Sequence, residues 1–211
     1  MCVRVCACVC VSQSPGHALG FLPVASEGGL EFCSTCAYGR TGNGSGTTCL
    51  PSQLWGTAGT VSVLKQILGE MAALFTDSVL HVGADETFVK AGPTERCTPN
   101  LTASLEAQIV EAVERDFGKT SAGWQQILFE TAAATNNTIV YAYMSPAGSV
   151  TATNHRTVVA NGSSLYFTVP APGGPLGWAK LWYDIAYDVP LSEQGLVLGG
   201  EMSTSTELFS K

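Results

Sequence analysis

A chain of 211 residues, 45% hydrophobic and only 13% charged, is long enough for one domain with a core and too apolar for a disordered segment. Its formal net charge of −7 argues against a nucleic-acid partner, which calls for basic patches against phosphate. No apolar run in the sequence approaches the ~20 residues of a membrane span.

The chain opens on MCVRVCACVCV, which holds four of the eight cysteines. Alternating Val and Cys reads as a strand. One Arg and a short apolar stretch without a clear cleavage site do not make a secretory leader. The expectation is that the natural N-terminus lies upstream, or that the chain begins inside a domain. Cys33-x-x-Cys36 has only Cys49 nearby and no second pair at ligand spacing, so zinc is not expected. Four sequons, at Asn43, Asn100, Asn136 and Asn161, use four of the six asparagines. That enrichment points to a secretory route, lysosomal, vacuolar or extracellular, where disulfides persist.

Further along, VSVLKQILGEMAALF (61–75) spaces Leu64, Ile67, Leu68, Met71 and Phe75 as a helix. DSVLHVGA (77–84) follows as a strand. LTASLEAQIVEAVERDF (101–117) is a second helix, with Leu101, Leu105, Ile109, Val113 and Phe117 on one side. A short strand at SAGW (121–124) precedes a helix at QQILFETAAA (125–134). Strands follow at TIVYAY (138–143), RTVVAN (156–161), SLYFTV (164–169) and EQGLVLGGE (193–201).

Alternating strands and helices, with strands that are apolar nearly throughout, imply a parallel α/β sheet, doubly wound or closed as a barrel. In a parallel barrel the chemistry sits at the C-terminal strand ends. Asp85, Glu86, Trp124, Tyr143 and Glu201 all fall there. Two adjacent acids ending an apolar strand gain nothing structural from each other. They are useful where one is kept protonated and the other charged.

HVGADE (81–86) resembles the His-x-Gly-Gly-Asp-Glu signature of glycoside hydrolase family 20, the β-N-acetylhexosaminidases. Other segments fall in the same order: SPGHALGF (14–21), GWQQIL (123–128), LYFTV (165–169) and LVLGGEMSTSTE (196–207) are similar to the family's motifs after barrel strands three, five, seven and eight. The resemblance covers nearly the whole chain. It implies one partial catalytic barrel over residues 1–211, an incomplete (β/α)8 TIM-type barrel. The first two strand–helix units and the last helix are expected to be missing.

The implied reaction is retaining hydrolysis of terminal β-linked N-acetylhexosamine from glycoconjugates or oligosaccharides, assisted by the sugar's own acetamido group and needing no cofactor or metal. Glu86 takes the place of the acid that protonates the leaving oxygen and later activates water. Asp85 takes that of the carboxylate that holds the acetamido N–H and steadies the oxazolinium intermediate. By the same resemblance His17 belongs to a relay that tunes the acid. Trp124 walls the acetamido pocket, Tyr143 stands where the family usually has Trp, Tyr166 bonds the acetamido carbonyl and Glu207 grips the outer hydroxyls.

Some positions depart from the family pattern. Ala84 replaces a glycine and crowds the turn. The Asp before Pro-Gly-His is Gln13 or Ser14. Thr168 and Ser205 stand where an Asp/Asn and a Trp are usual. A non-catalytic, sugar-binding or inactive relative is therefore the alternative. The partners expected are N-acetylglucosamine- or N-acetylgalactosamine-terminated glycans and, in a homo-oligomer, further copies of the chain. A disulfide from Cys33, Cys36 or Cys49 to Cys97 is expected to flank the Asp85-Glu86 loop.

Overall fold

In a computed structural model of the protein, the described residues are 21, 29–32, 54, 56–85, 99–161, 165 and 188–201. The chain divides into two compact units, Met1–Thr135 and Asn136–Lys211.

In the first unit, helix α1 spans Ala58–Leu74, starting three residues earlier than the hydrophobic spacing predicts. Its start is set by Thr57, whose extended backbone (φ −83°, ψ 161°) frees the side chain to accept from the Thr60 amide at 3.3 Å. Thr60, Val61, Leu64 and Leu68, three or four apart, form the buried face. The helix ends where Phe75 turns extended. Lys119 closes that end by donating its Nζ to the carbonyls of Phe75 at 2.8 Å and Asp77 at 2.5 Å, a cation where the helix dipole favours one.

Strand β1, Val79–His81, pairs in parallel with β2, Thr120–Trp124, with Leu80 opposite Ser121 and His81 opposite Ala122. Between them runs α2, Pro99–Glu111, which widens into a π-helical turn over Ala112–Asp116. There the Phe117 amide reaches the Ala112 carbonyl, five residues back, at 3.0 Å. Within the turn Glu114 accepts from Ser121 Oγ at 2.7 Å and from Thr135 Oγ1 at 2.9 and 3.0 Å, tying the helix to β2 and to the unit's last residues. Leu64 and Leu68 of α1, Leu80 of β1 and Leu105, Ile109 and Val113 of α2 and its π turn share one core.

The helix predicted over 125–134 is one turn, α3, Gln126–Phe129. Its apolar run continues, but Ala132 takes φ 51°, and the amides of Ala133 and Ala134 turn back to the Ile127 carbonyl at 2.8 and 3.0 Å. Thr131 Oγ1, donating to the buried carboxylate of Glu106, anchors the departing chain to α2.

In the second unit, β3 (Ile139–Ala142), β4 (Thr157–Val159) and β5 (Val197–Gly200) lie side by side in that order, all parallel. Each is shorter than its apolar run. β3 is buried along its whole length, as a strand covered on both faces must be. Helix α4, Ala147–Thr151, connects β3 to β4. The start of EQGLVLGGE is a 3-10 turn, Gln194–Leu196, rather than strand. The register of β4 on β5 shifts between Thr157 and Val158. The strands expected at the N-terminus and over 164–169 lie outside the described residues, apart from Leu165.

Candidate active site

β1 ends at His81, but its ladder with β2 continues into the loop. The Val82 amide donates to Ala122 O at 2.8 Å, and the Trp124 amide donates to Gly83 O at 2.7 Å. Gly83 (φ 86°) and Ala84 (φ 70°) are then both left-handed, an arrangement that L-residues other than glycine resist. This double turn takes the chain from the buried strand to Asp85, which is half-buried with its Oδ1 shielded from water. The crowding expected from Ala84 is thus a backbone matter: its methyl is held in a conformation suited to glycine, and the residue is 1% exposed.

Two side chains frame the turn. His81 is buried, and its Nδ1 accepts from the Gly83 amide at 3.1 Å. An accepting Nδ1 places the ring proton on Nε2. Desolvation lowers the His81 pKa from 6.5 to about 4, so the imidazole is neutral. Trp124 stands edge-on to it. Gly123 allows the strand ends to close up: a Cβ there would lie 3.0 Å from Ile127 Cδ1 and 3.3 Å from Gly83 O.

In the second unit the same strand end carries Tyr143, half-buried one residue past β3, and Glu201, one residue past β5. The Ala160 amide donates to Ala142 O at 2.9 Å and the Glu201 amide to Val159 O at 2.8 Å, so the ladders hold up to these positions. Burial pushes the Glu201 carboxyl above its ordinary pKa.

Asp85 and Trp124 are therefore brought to neighbouring strand ends through Gly83, and Tyr143 and Glu201 occupy equivalent ends in their own unit. Glu86, His17, Tyr166 and Glu207 lie outside the described residues, as do all eight cysteines and the disulfide expected among them. His81 has a place in this site that the sequence pattern does not assign it. Its signal was present: it opens the HVGADE segment, two residues before a glycine.

Each expected site residue that the structure describes sits at the C-terminal end of a parallel strand, with helices in the crossovers, the arrangement of the α/β barrel enzymes. Residues 13–189 match "Glycosyl hydrolase family 20, catalytic domain", and the chain belongs to that family. No curated protein matches it. Among solved structures, it is similar to a family 20 exo-β-N-acetylglucosaminidase from Vibrio harveyi, at 17% identity and a TM-score of 0.73 over 93% of this chain and 34% of that one. Another family 20 β-N-acetylglucosaminidase gives 17% and 0.70 over 92% and 44%. A β-N-acetylhexosaminidase from Bacteroides fragilis gives 16% and 0.59 over 92% and 41%. The fold is thus an incomplete (β/α)8 barrel, and the chain spans between a third and a half of the length of these proteins.

Proposed function

We propose that the chain is the part of a β-N-acetylhexosaminidase that carries its acid pair, acting on glycans that end in β-linked N-acetylglucosamine or N-acetylgalactosamine. The observation that carries this reading is Asp85, delivered by the left-handed Gly83–Ala84 turn to the end of a buried parallel strand beside Trp124, with Glu86 next in sequence. Family membership supports it. So does the Vibrio harveyi relative, in which an aspartate-to-alanine mutant is described as inactive.

In this reading the sugar's acetamido oxygen attacks the anomeric carbon while Glu86 protonates the departing oxygen. Asp85 holds the acetamido N–H and stabilises the positive charge of the oxazolinium. Water, deprotonated by Glu86, then opens the ring with overall retention. Trp124 supplies an apolar wall for the acetamido methyl. The four sequons support passage through the secretory route.

The test is release of 4-nitrophenol from its N-acetyl-β-glucosaminide by the 211-residue chain, with two variants. Asp85→Ala is expected to abolish turnover. Glu86→Gln is expected to spare the first step on this activated leaving group while slowing the water step, for which Glu86 is the base. On a poor leaving group the first step suffers as well, and a loss of about 10²–10⁴-fold is expected. A folded wild-type chain that binds N-acetylglucosamine without turnover would instead favour a sugar-binding relative, a reading to which Thr168 and Ser205 already lend weight.

A further inference from the structure

We propose that His81 is a positioning residue, whose Nδ1 pins the Gly83 amide and so sets the turn that presents Asp85. Its catalytic consequence rests on the glycosidase reading; its geometry does not. A side-chain acceptor taking the N–H two residues ahead is what Asn and Asp do when they initiate a turn. His81 does it from a buried strand end, at 3.1 Å.

The turn has reason to need such a pin. Gly83 and Ala84 lie in the left-handed region one after the other, and an isolated pair of this kind gains nothing from a repeating ladder. Its hold comes from its first peptide groups. The Gly83 carbonyl accepts from the Trp124 amide at 2.7 Å, and the Gly83 amide donates to His81. One residue is thus held from both sides by His81 and Trp124, whose rings then meet edge to face. Loss of the His81 acceptor would leave a buried amide to find another partner and free the turn to relax. Asp85 lies one residue beyond it. The neutral imidazole suits the role, because a protonated ring would have two donors and nothing to offer the amide. Burial keeps it neutral down to a pH of about 4.

Two substitutions separate the acceptor from the ring. His81→Asn keeps an acceptor in reach of the Gly83 amide and loses the aromatic contact. His81→Phe keeps a ring against Trp124 and loses the acceptor. Thermal midpoints establish that both variants fold. Amide hydrogen exchange at Gly83 is expected to be about 10-fold faster in His81→Phe and within about threefold of wild type in His81→Asn. On 4-nitrophenyl N-acetyl-β-glucosaminide, kcat is expected to fall about 10–100-fold in His81→Phe with KM within about threefold, and His81→Asn to recover most of it. If His81→Asn is no better than His81→Phe, or Gly83 exchange is unchanged in His81→Phe, the acceptor role is overturned. A wild-type chain without turnover would count against the glycosidase reading alone, and the Gly83 exchange ratio would still decide the role of His81.

Discussion

The imidazole of His81 and the indole of Trp124 lie 5.4 Å apart between ring centroids, their planes inclined at 69°. This edge-to-face pair closes the end of β1 against the end of β2 and leaves the imidazole inside, 3% exposed. A titratable group has therefore been placed where water cannot stabilise its charge. The same burial that suits it to accept from Gly83 makes the fold sensitive to acid.

That sensitivity has a definite sign. The folded pKa of His81 is about 4, against 6.5 ordinarily, so between those values the unfolded chain binds more protons than the folded one. Stability from this group is complete above pH 6.5 and is lost as pH falls towards 4, by about 3 kcal/mol in all. Urea unfolding at pH 7 and at pH 4.5 is expected to show wild type losing about 2 kcal/mol more than His81→Asn. Glu201, whose raised pKa acts in the opposite direction, is common to both proteins and cancels in the difference. Equal losses would mean that the imidazole is not buried in solution.

Ala84 gives a second prediction, because two effects of similar size oppose each other there. Relief of a left-handed alanine favours Ala84→Gly by about 1–2 kcal/mol. Loss of a buried methyl costs about 0.8 kcal/mol, and the freer unfolded chain costs about 0.4–1 kcal/mol. The balance is near zero, and Ala84→Gly is expected to leave the unfolding midpoint almost unchanged. Ala84→Val has no such compensation, since a branched Cβ worsens the backbone conformation in a site already 1% exposed. A loss of about 2–4 kcal/mol is expected. A well-tolerated valine would contradict the left-handed turn.

Glu114 supplies the third. It is the acceptor for Ser121 and Thr135 together, at 2.7, 2.9 and 3.0 Å, and Ser121 is fully buried. Removing the carboxylate with Glu114→Ala is expected to cost about 2–3 kcal/mol. Glu114→Gln retains an amide oxygen in the same place and is expected to cost less than half as much. Chemical denaturation of the two variants separates a hydrogen-bonding role from mere occupancy of the site, for which the two losses would be equal.

These residues also mark what the sequence made legible. The long helices, the parallel strands and the placing of Asp85, Trp124, Tyr143 and Glu201 at strand ends follow from local periodicity, because each element buries the face that its own spacing creates. The end of α3 does not follow, because it depends on Thr131 meeting Glu106, 25 residues away in sequence. The π turn is silent for a similar reason: Glu114 looks like any exposed helix acid until Ser121 and Thr135 are folded beside it. His81 was visible as a motif letter and not as a hydrogen-bond acceptor, since its partner is a backbone amide whose direction is set by the backbone dihedrals of the turn.

The sequons lead to the last prediction. Asn136 is exposed in the turn before β3, and Arg156 steadies that turn by donating Nη2 to the carbonyl and Oδ1 of Asn137, at 2.8 and 3.1 Å. It therefore sits at the N-terminal end of a strand whose other end leads to Tyr143, about 13 Å away along four residues. A glycan at Asn136 would project from the N-terminal end of β3, away from the end of that strand that leads to Tyr143. Asn161 is placed differently: it is half-buried two residues past β4, on the same side as Tyr143 and Glu201. When the chain is expressed through a eukaryotic secretory route, glycopeptide mass spectrometry is expected to find Asn136 occupied to a much greater extent than Asn161. Asn136→Gln is expected to remove that glycan and leave the unfolding free energy within about 0.5 kcal/mol of wild type, because Asn136 is exposed in its turn. Occupancy of Asn161 with Asn136 bare would reverse the assignment of faces.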